Sequence, residues 1–205
     1  MYKLPDYTEH DTVKVIEFIK QNYFAVITGA GPEFPVATHI PLEIREENQN
    51  LIFAGHLMKN TDHHKAFLNN GKVLVIFSGP HAHVSASWYK NPAVGSTWNY
   101  ITVHAKGRIK FLDEEATVDA VRRITSRYEA PDSPAAFDKL APEYVNRLVK
   151  AIVAFEIYVD SVENVFKLSQ NYDAETRKSI IEHLKKREDQ GAKLIAMEMN
   201  NRLKT

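Results

Sequence analysis

The run Val73-Leu74-Val75-Ile76-Phe77 limits what this chain can fold into more than any other stretch. It is β-branched and aromatic without a polar residue, the right length for a buried strand and too short for an independent helix. Ser78-Gly79-Pro80 then reads as a turn. In His81-Ala82-His83-Val84-Ser85 the side chains alternate, so His81, His83 and Ser85 share one face and Ala82 and Val84 the other. Both tryptophans follow closely, in Ser87-Trp88-Tyr89-Lys90 and Ser96-Thr97-Trp98-Asn99-Tyr100, and Trp98 to Ile109 again reads as strand. Large aromatics among hydrogen-bonding side chains suit a flat ligand with a polar edge. Val73 to Ile109 is therefore the first site candidate.

The remaining chain supplies hairpins and helices around this stretch. Thr8 is positioned as a helix N-cap with Asp11 in capping-box position, and Val13, Ile16, Phe18, Ile19 and Tyr23 recur at helical spacing. Phe24 to Thr28, Pro35 to Ile44 and Leu51 to Gly55 read as strands separated by polar or Gly-rich turns, a spacing that favours antiparallel pairing. Gly29 and Gly31 do not make a dinucleotide fingerprint, because no helix follows them. Thr61 or Asp62 can cap a short helix to about Asn69, and a helix N-terminus beside Lys59 is physically suited to an anion. Asp113 to Tyr128 and Pro142 to Ile152 read as helices, and Val153 to Val159 as the last strand. Charged helices run from about residue 173, with Gly191 punctuating them. The pattern implies a single α+β domain over residues 1–205, its strands closing into a barrel with peripheral helices and a C-terminal helical segment.

Composition excludes several classes of function. The chain of 205 residues carries 26 Lys+Arg against 26 Asp+Glu, so no general attraction to nucleic acid or anionic membrane is expected. There is no cysteine, which rules out disulfides, thiolate catalysis and zinc-thiolate centres. No apolar signal core opens the sequence and no run approaches membrane-spanning length, so a cytoplasmic, membrane-free protein is expected. The basic positions Arg122, Arg123 and Arg127, and Lys185-Lys186-Arg187, are interleaved with acids and read as solvated helix faces, not as a DNA-recognition helix.

Histidines concentrate between His39 and His104. The pair His81 and His83 could begin a metal site, with a third ligand from His39, His56 or His104 and a carboxylate from Asp62; no restrictive ligand spacing supports it. A Ser-His-Asp triad has no GxSxG elbow to anchor it.

Six segments stand out: Ala37-Thr38-His39-Ile40-Pro41-Leu42, Gly55-His56-Leu57, Val73 to Phe77 with Gly79-Pro80-His81, Val84-Ser85 with Ser87-Trp88-Tyr89, Thr97-Trp98-Asn99-Tyr100, and Lys167-Leu168-Ser169-Gln170-Asn171. Together they resemble the PaiB-like family of FMN-binding negative transcriptional regulators. They stand in the family's order and cover most of the chain. The resemblance implies an antiparallel split β-barrel of the FMN-binding type, a homodimer and an FMN cofactor. It implies walls for the isoalloxazine from Trp98 and Tyr100, edge contacts from Asn99, Thr38 and His39, and His56 as a further cofactor-binding residue. It further implies phosphate contacts from Lys59, Asn60 and Thr61, and closure of the site by Lys167, Ser169, Gln170 and Asn171. The chain departs from the family where Thr61-Asp62 replaces an Asn-Pro pair, which adds a negative charge near the expected phosphate position. A transcriptional regulator or flavin-dependent sensor is the function implied, with a flavin-dependent oxidoreductase as the alternative and a His-rich metal-binding barrel behind both. No residue is named as a catalytic acid, base or nucleophile, since flavin chemistry often needs none from the protein.

Overall fold

The short apolar runs rich in β-branched residues become the strands of one sheet in the computed structural model, which describes residue 1 and residues 4–203. In chain order the elements are α1 (Thr12–Gln21), β1 (Phe24–Gly29), β2 (Val36–Pro41), β3 (Glu43–Glu47), β4 (Asn50–Met58), α2 (Asp62–Asn69), β5 (Lys72–Val84) and β6 (Thr97–Phe111). They continue with α3 (Glu114–Tyr128), α4 (Pro142–Ala151), β7 (Ile152–Lys167), α5 (Ala174–Lys185) and α6 (Gln190–Asn201). The strand order is β2-β1-β5-β6-β7-β4-β3, so the hairpins β1–β2 and β3–β4 form the two edges. The pairs β1–β2, β1–β5, β3–β4 and β4–β7 are all antiparallel, as the hairpin spacing requires. Among the described residues no helix is long and apolar enough to cross a membrane.

The chain divides into two compact units. The first comprises Met1–Asn22, Phe77–His104 and Glu163–Thr205. Its core is built by Phe18 and Ile19 of α1, Val84, Val103, Phe166, Leu168 and the apolar faces of α5 and α6, where Ile180, Leu184, Ile195 and Met199 are all fully buried. Phe18 meets Phe166 edge-on at 5.5 Å, the arrangement that ring quadrupoles favour. Asp11, not Thr8, is the cap of α1: its carboxylate accepts from the N–H groups of Val13 and Lys14, whereas the Thr8 hydroxyl donates to the Leu4 carbonyl of a preceding 3-10 turn.

The second unit comprises Tyr23–Ile76 and Ala105–Val162. Here β2 and β4 are not neighbours in the sheet, yet a Cβ built on Gly55 of β4 would lie 3.3 Å from Ile40 and 3.4 Å from Leu42. The strands therefore curl until two that share no ladder pack side chain to backbone. This is a split barrel, and the fold class is α+β. A second cluster joins α3 and α4, in which Val121, Phe137 and Ile152 are buried with Val118, Leu140, Val145 and Leu148 against them.

Two local expectations fail for identifiable reasons. The segment read as one strand from Pro35 to Ile44 is β2 and β3, interrupted at Leu42, whose N–H donates to the Tyr23 carbonyl while its side chain is buried. Ser78-Gly79-Pro80 makes no turn, because β5 runs straight through it. Gly79 fits there since Phe18 occupies the space of a side chain: an added Cβ would sit 2.6 Å from its ring.

The C-terminal helices also break earlier than Gly191. Asp189 caps α6 by accepting from the Ala192 N–H, and Gly191 lies inside the helix, where an added Cβ would come 2.6 Å from the His81 carbonyl oxygen. Ala ordinarily stabilises a helix interior by roughly 0.5–1 kcal/mol over Gly. At Gly191 the sign reverses, because backbone must move to admit the methyl group. Gly191→Ala is expected to destabilise the protein by about 1–3 kcal/mol, in the range of overpacking, measured as a lower urea midpoint at unchanged m-value; a neutral or stabilising result would contradict the close approach.

Candidate functional site

In the second unit, Thr38 and His39 stand opposite Ile27 and Val26 in the β1–β2 ladder. Thr38 is half-buried, while His39 is exposed and stacks on Phe24 at 6.2 Å. His56 lies opposite Ala154 in β4 and is half-buried. Lys59 follows at the end of that strand; its N–H donates to the Ala151 carbonyl (2.8 Å) and its Nζ to the Val149 carbonyl (3.1 Å), both neutral acceptors. Asn60 takes a left-handed conformation with φ 66°, and its N–H donates to His64 Nδ1.

Thr61 is the cap of α2, as its position implies. Its Oγ1 accepts from the His64 N–H at 3.2 Å and donates to the Met58 carbonyl at 3.1 Å. Asp62 accepts from the His63 N–H at 2.7 Å, and this bond, together with the His63 ring, holds its carboxyl below the usual range. The free N–H groups that make a helix start attractive to anions are thus partly engaged by the chain's own side chains.

In the first unit, burial along β6 alternates without interruption from Trp98 to Lys110. That alternation puts Trp98 and Tyr100 on one face and Asn99 on the other. Trp98 is 54% exposed and is flanked by His81 and His83, with ring centroids 5.9 and 5.8 Å away. Asn99 is fully buried and paired with Ser169: Nδ2 donates to Ser169 Oγ at 3.0 Å, and Oγ donates back to Oδ1 at 3.1 Å. Ser169 itself is left-handed, with φ 58°. Across that turn Gln170 accepts from the Leu168 N–H and donates to the Phe166 carbonyl, and Asn171 is exposed. Lys167 donates to Thr97 Oγ1 at 2.5 Å, and burial depresses its pKa. The polar run Lys167 to Asn171 is thus a built turn that closes hydrogen bonds otherwise left open in the interior.

Among the described residues no three His, Cys, Asp or Glu side chains converge as a metal site would need. His81 and His83 pack on Trp98 instead. The second unit also contains a cavity of about 490 Å³, lined in part by residues of α3 and, from the motif segments above, by Pro41, Leu42, Gly55 and His56. Arg127, which reads in the sequence only as part of a solvated helix face, also lines this cavity; the signal was its helical spacing from Ala120 and Ile124.

Burial lowers the pKa of His56 below its ordinary value. The unfolded chain, titrating near 6.5, therefore binds a proton at His56 before the folded one does, so stability falls as pH drops below about 6.5. His56→Gln removes that contribution. The variant is expected to lose less stability than the parent between pH 7 and 5, measured by urea denaturation at each pH; parallel losses would show that His56 is not the titrating group.

Residues 1–161 match the protein family described as "Putative FMN-binding domain". The chain is 32% identical to the Bacillus subtilis protein named "Protease synthase and sporulation protein PAI 2", over 93% of this chain and 92% of that one. An uncharacterized protein of Emericella nidulans is 26% identical, over 80% and 82% of the two chains. Among solved structures, an FAD and heme binding protein from Mycobacterium smegmatis superposes with a TM-score of 0.60 at 13% identity, covering 84% of this chain and 79% of that one. The flavocytochrome Anf3 from Azotobacter vinelandii gives a TM-score of 0.60 at 14% identity, covering 81% and 72%. At such identities the structural likeness establishes the split-barrel fold, while the sequence match over most of the chain establishes descent: this protein belongs to the FMN-binding-domain family and is a relative of PAI 2.

Proposed function

We propose that this protein is a cytoplasmic, homodimeric FMN-binding regulator that senses flavin or its redox state. The observation that carries the reading is the family match across residues 1–161, a range that contains every motif segment described above except Lys167 to Asn171. The donor set fits the cofactor. A phosphate close to two negative charges needs cations that are not already neutralised. Among the described residues Lys59 has no carboxylate partner, and it adjoins the left-handed Asn60 and the start of α2. We assign Lys59, Asn60 and Thr61 to the phosphate, and Thr38, His39 and His56 to the polar edge of the flavin. Trp98 and Tyr100 are assigned to its aromatic faces. Lys167, Gln170 and Asn171 are assigned to closing contacts, with Asn99 and Ser169 holding strand and turn in place. Bound FMN would supply electron-transfer chemistry that no side chain here can provide.

The regulatory half of the reading is supported by the relationship to PAI 2, whose name refers to protease synthesis and sporulation. The balance of 26 basic and 26 acidic residues favours action through a sensed ligand or a partner protein over tight DNA binding by the chain itself.

The direct test is titration of FMN and of riboflavin, which lacks the phosphate, against the protein and two variants. Lys59→Ala is expected to weaken FMN by about 1.5–3 kcal/mol, the range for a lost hydrogen bond to a charged group, and to leave riboflavin almost unchanged. Asp62→Asn removes a charge beside the same turn and is expected to tighten FMN modestly. FMN binding unaltered by Lys59→Ala would place the phosphate elsewhere, and no flavin binding at all would end the reading. The dimer is tested by sedimentation, where a clean monomer at micromolar concentration would count against it.

A further inference from the structure

Ala120, Ile124, Arg127 and Tyr128 fall on one side of α3, at i, i+4, i+7 and i+8. Val118 and Val121, on another side, pack into the cluster with α4. The first stripe faces the cavity of about 490 Å³ within the second unit. Small-ligand pockets span roughly 300–1,000 Å³, and one water needs only roughly 30 Å³ of that.

The chamber is built into the fold. Its floor uses the small residues Ala54 and Gly55 of β4 and Ala154 of β7. Fixed bonds hold the helix above them. Thr117 Oγ1 accepts from the Ala154 N–H at 3.1 Å, Asp113 caps the helix start, and Arg123 Nε donates to Glu43 Oε2 at 3.3 Å.

The polar groups of the lining narrow the ligand class. Arg122 is ion-paired with Asp138, and Arg123 with Glu43. Arg127 has no carboxylate partner among the described residues; its guanidinium lies over the rings of Tyr23, at 4.6 Å, and Tyr128, at 5.8 Å. Neither ring nitrogen of His56 has a hydrogen-bond partner among the described residues. A largely apolar chamber whose one un-neutralised cation is Arg127 complements a molecule with an apolar body and a single carboxylate; His56 at its edge is assigned to the flavin. The planar fork of Arg127 matches a carboxylate through two parallel hydrogen bonds.

We propose that the cavity beneath α3 is a second ligand site, centred on Arg127 and bordering the flavin motif segments at Pro41, Leu42, Gly55 and His56, and that it takes a small amphipathic carboxylate.

The test uses 4-phenylbutyrate and its uncharged amide, titrated by calorimetry against the full chain with and without saturating FMN. The carboxylate is expected to bind about tenfold tighter than the amide or better, the equivalent of one charge-assisted hydrogen bond. It should shift the NMR amide signals of residues 54–56 and 120–128, and FMN should not displace it. Arg127→Gln should reduce affinity for the carboxylate about tenfold and leave the amide unchanged. Ala120→Leu, which fills the chamber, should abolish binding of both probes; should that variant not fold, the Arg127→Gln comparison decides by itself. Equal affinity for carboxylate and amide, wild-type binding by Arg127→Gln, or no binding at millimolar probe would overturn the proposal. Competitive displacement by FMN would also overturn it, by making the chamber the flavin's own. A protein that binds 4-phenylbutyrate in this pattern but takes up no FMN supports the second site while removing the flavin reading.

Discussion

Side chains on a strand alternate between two faces, and in β5 that alternation slips by one residue: Val73, Val75 and Phe77 are buried, and then Ala82 and Val84. The slip falls at Ser78-Gly79-Pro80, where Phe18 takes the place of a side chain on Gly79 and Pro80 has no N–H to leave unpaired. Without it His81 and His83 would inherit the buried phase, where an imidazole lacking a partner is costly. With it they stand beside Trp98, on the face that β6 presents through its own unbroken alternation. The aromatic group in the first unit therefore depends on a Gly-Pro pair several residues away along the strand. Gly191 adds a second constraint, because the His81 carbonyl approaches α6 too closely for any side chain there.

Sequence pattern anticipated most of the strands, the antiparallel pairing and where several helices start, because those follow from local rules. Thr61, Asp113 and Asp173 each sit before a helix with a free carboxylate or hydroxyl, and each accepts the backbone bond its position predicts. Local rules failed where a distant contact decided the outcome. Gly79 and Pro80 carry a strong turn signal, and only the ring of Phe18 explains why the strand continues. The pattern makes Thr8 the cap and Asp11 its capping-box partner; in the fold Asp11 is itself the cap, because it is the residue that reaches the first free N–H groups of α1.

The candidate site was legible in kind more than in arrangement. The resemblance groups Lys59, Trp98 and the Lys167 to Asn171 run into one flavin site, whereas in the fold Lys59 belongs to the second unit and Trp98 and Lys167 to the first. Strand alternation, however, already separates Asn99 from Trp98 and Tyr100. Asn99 and Ser169 satisfy each other in the interior, a pairing that no local pattern encodes because seventy positions lie between them. Arg122, Arg123 and Arg127 look alike in the sequence. Only packing distinguishes the two that meet carboxylates from the one that meets tyrosine rings.

The turn from Lys59 to Asp62 bears on how firmly a flavin would be held. A phosphate binds a helix start through free N–H groups and positive potential, and here both are present but contested. Thr61 and Asp62 already accept from His64 and His63, and the Asp62 carboxylate stays ionised well into the acidic range because those bonds favour its charge. Any phosphate at this turn meets that carboxylate at short range, and Lys59 must offset the repulsion besides contributing its own attraction. An enzyme with a resident cofactor gains nothing from such opposition. A sensor does, because a flavin that leaves readily lets occupancy follow its concentration. With the phosphate at this turn, as proposed, the Thr61-Asp62 pair favours the sensing form of the proposed function over the catalytic one.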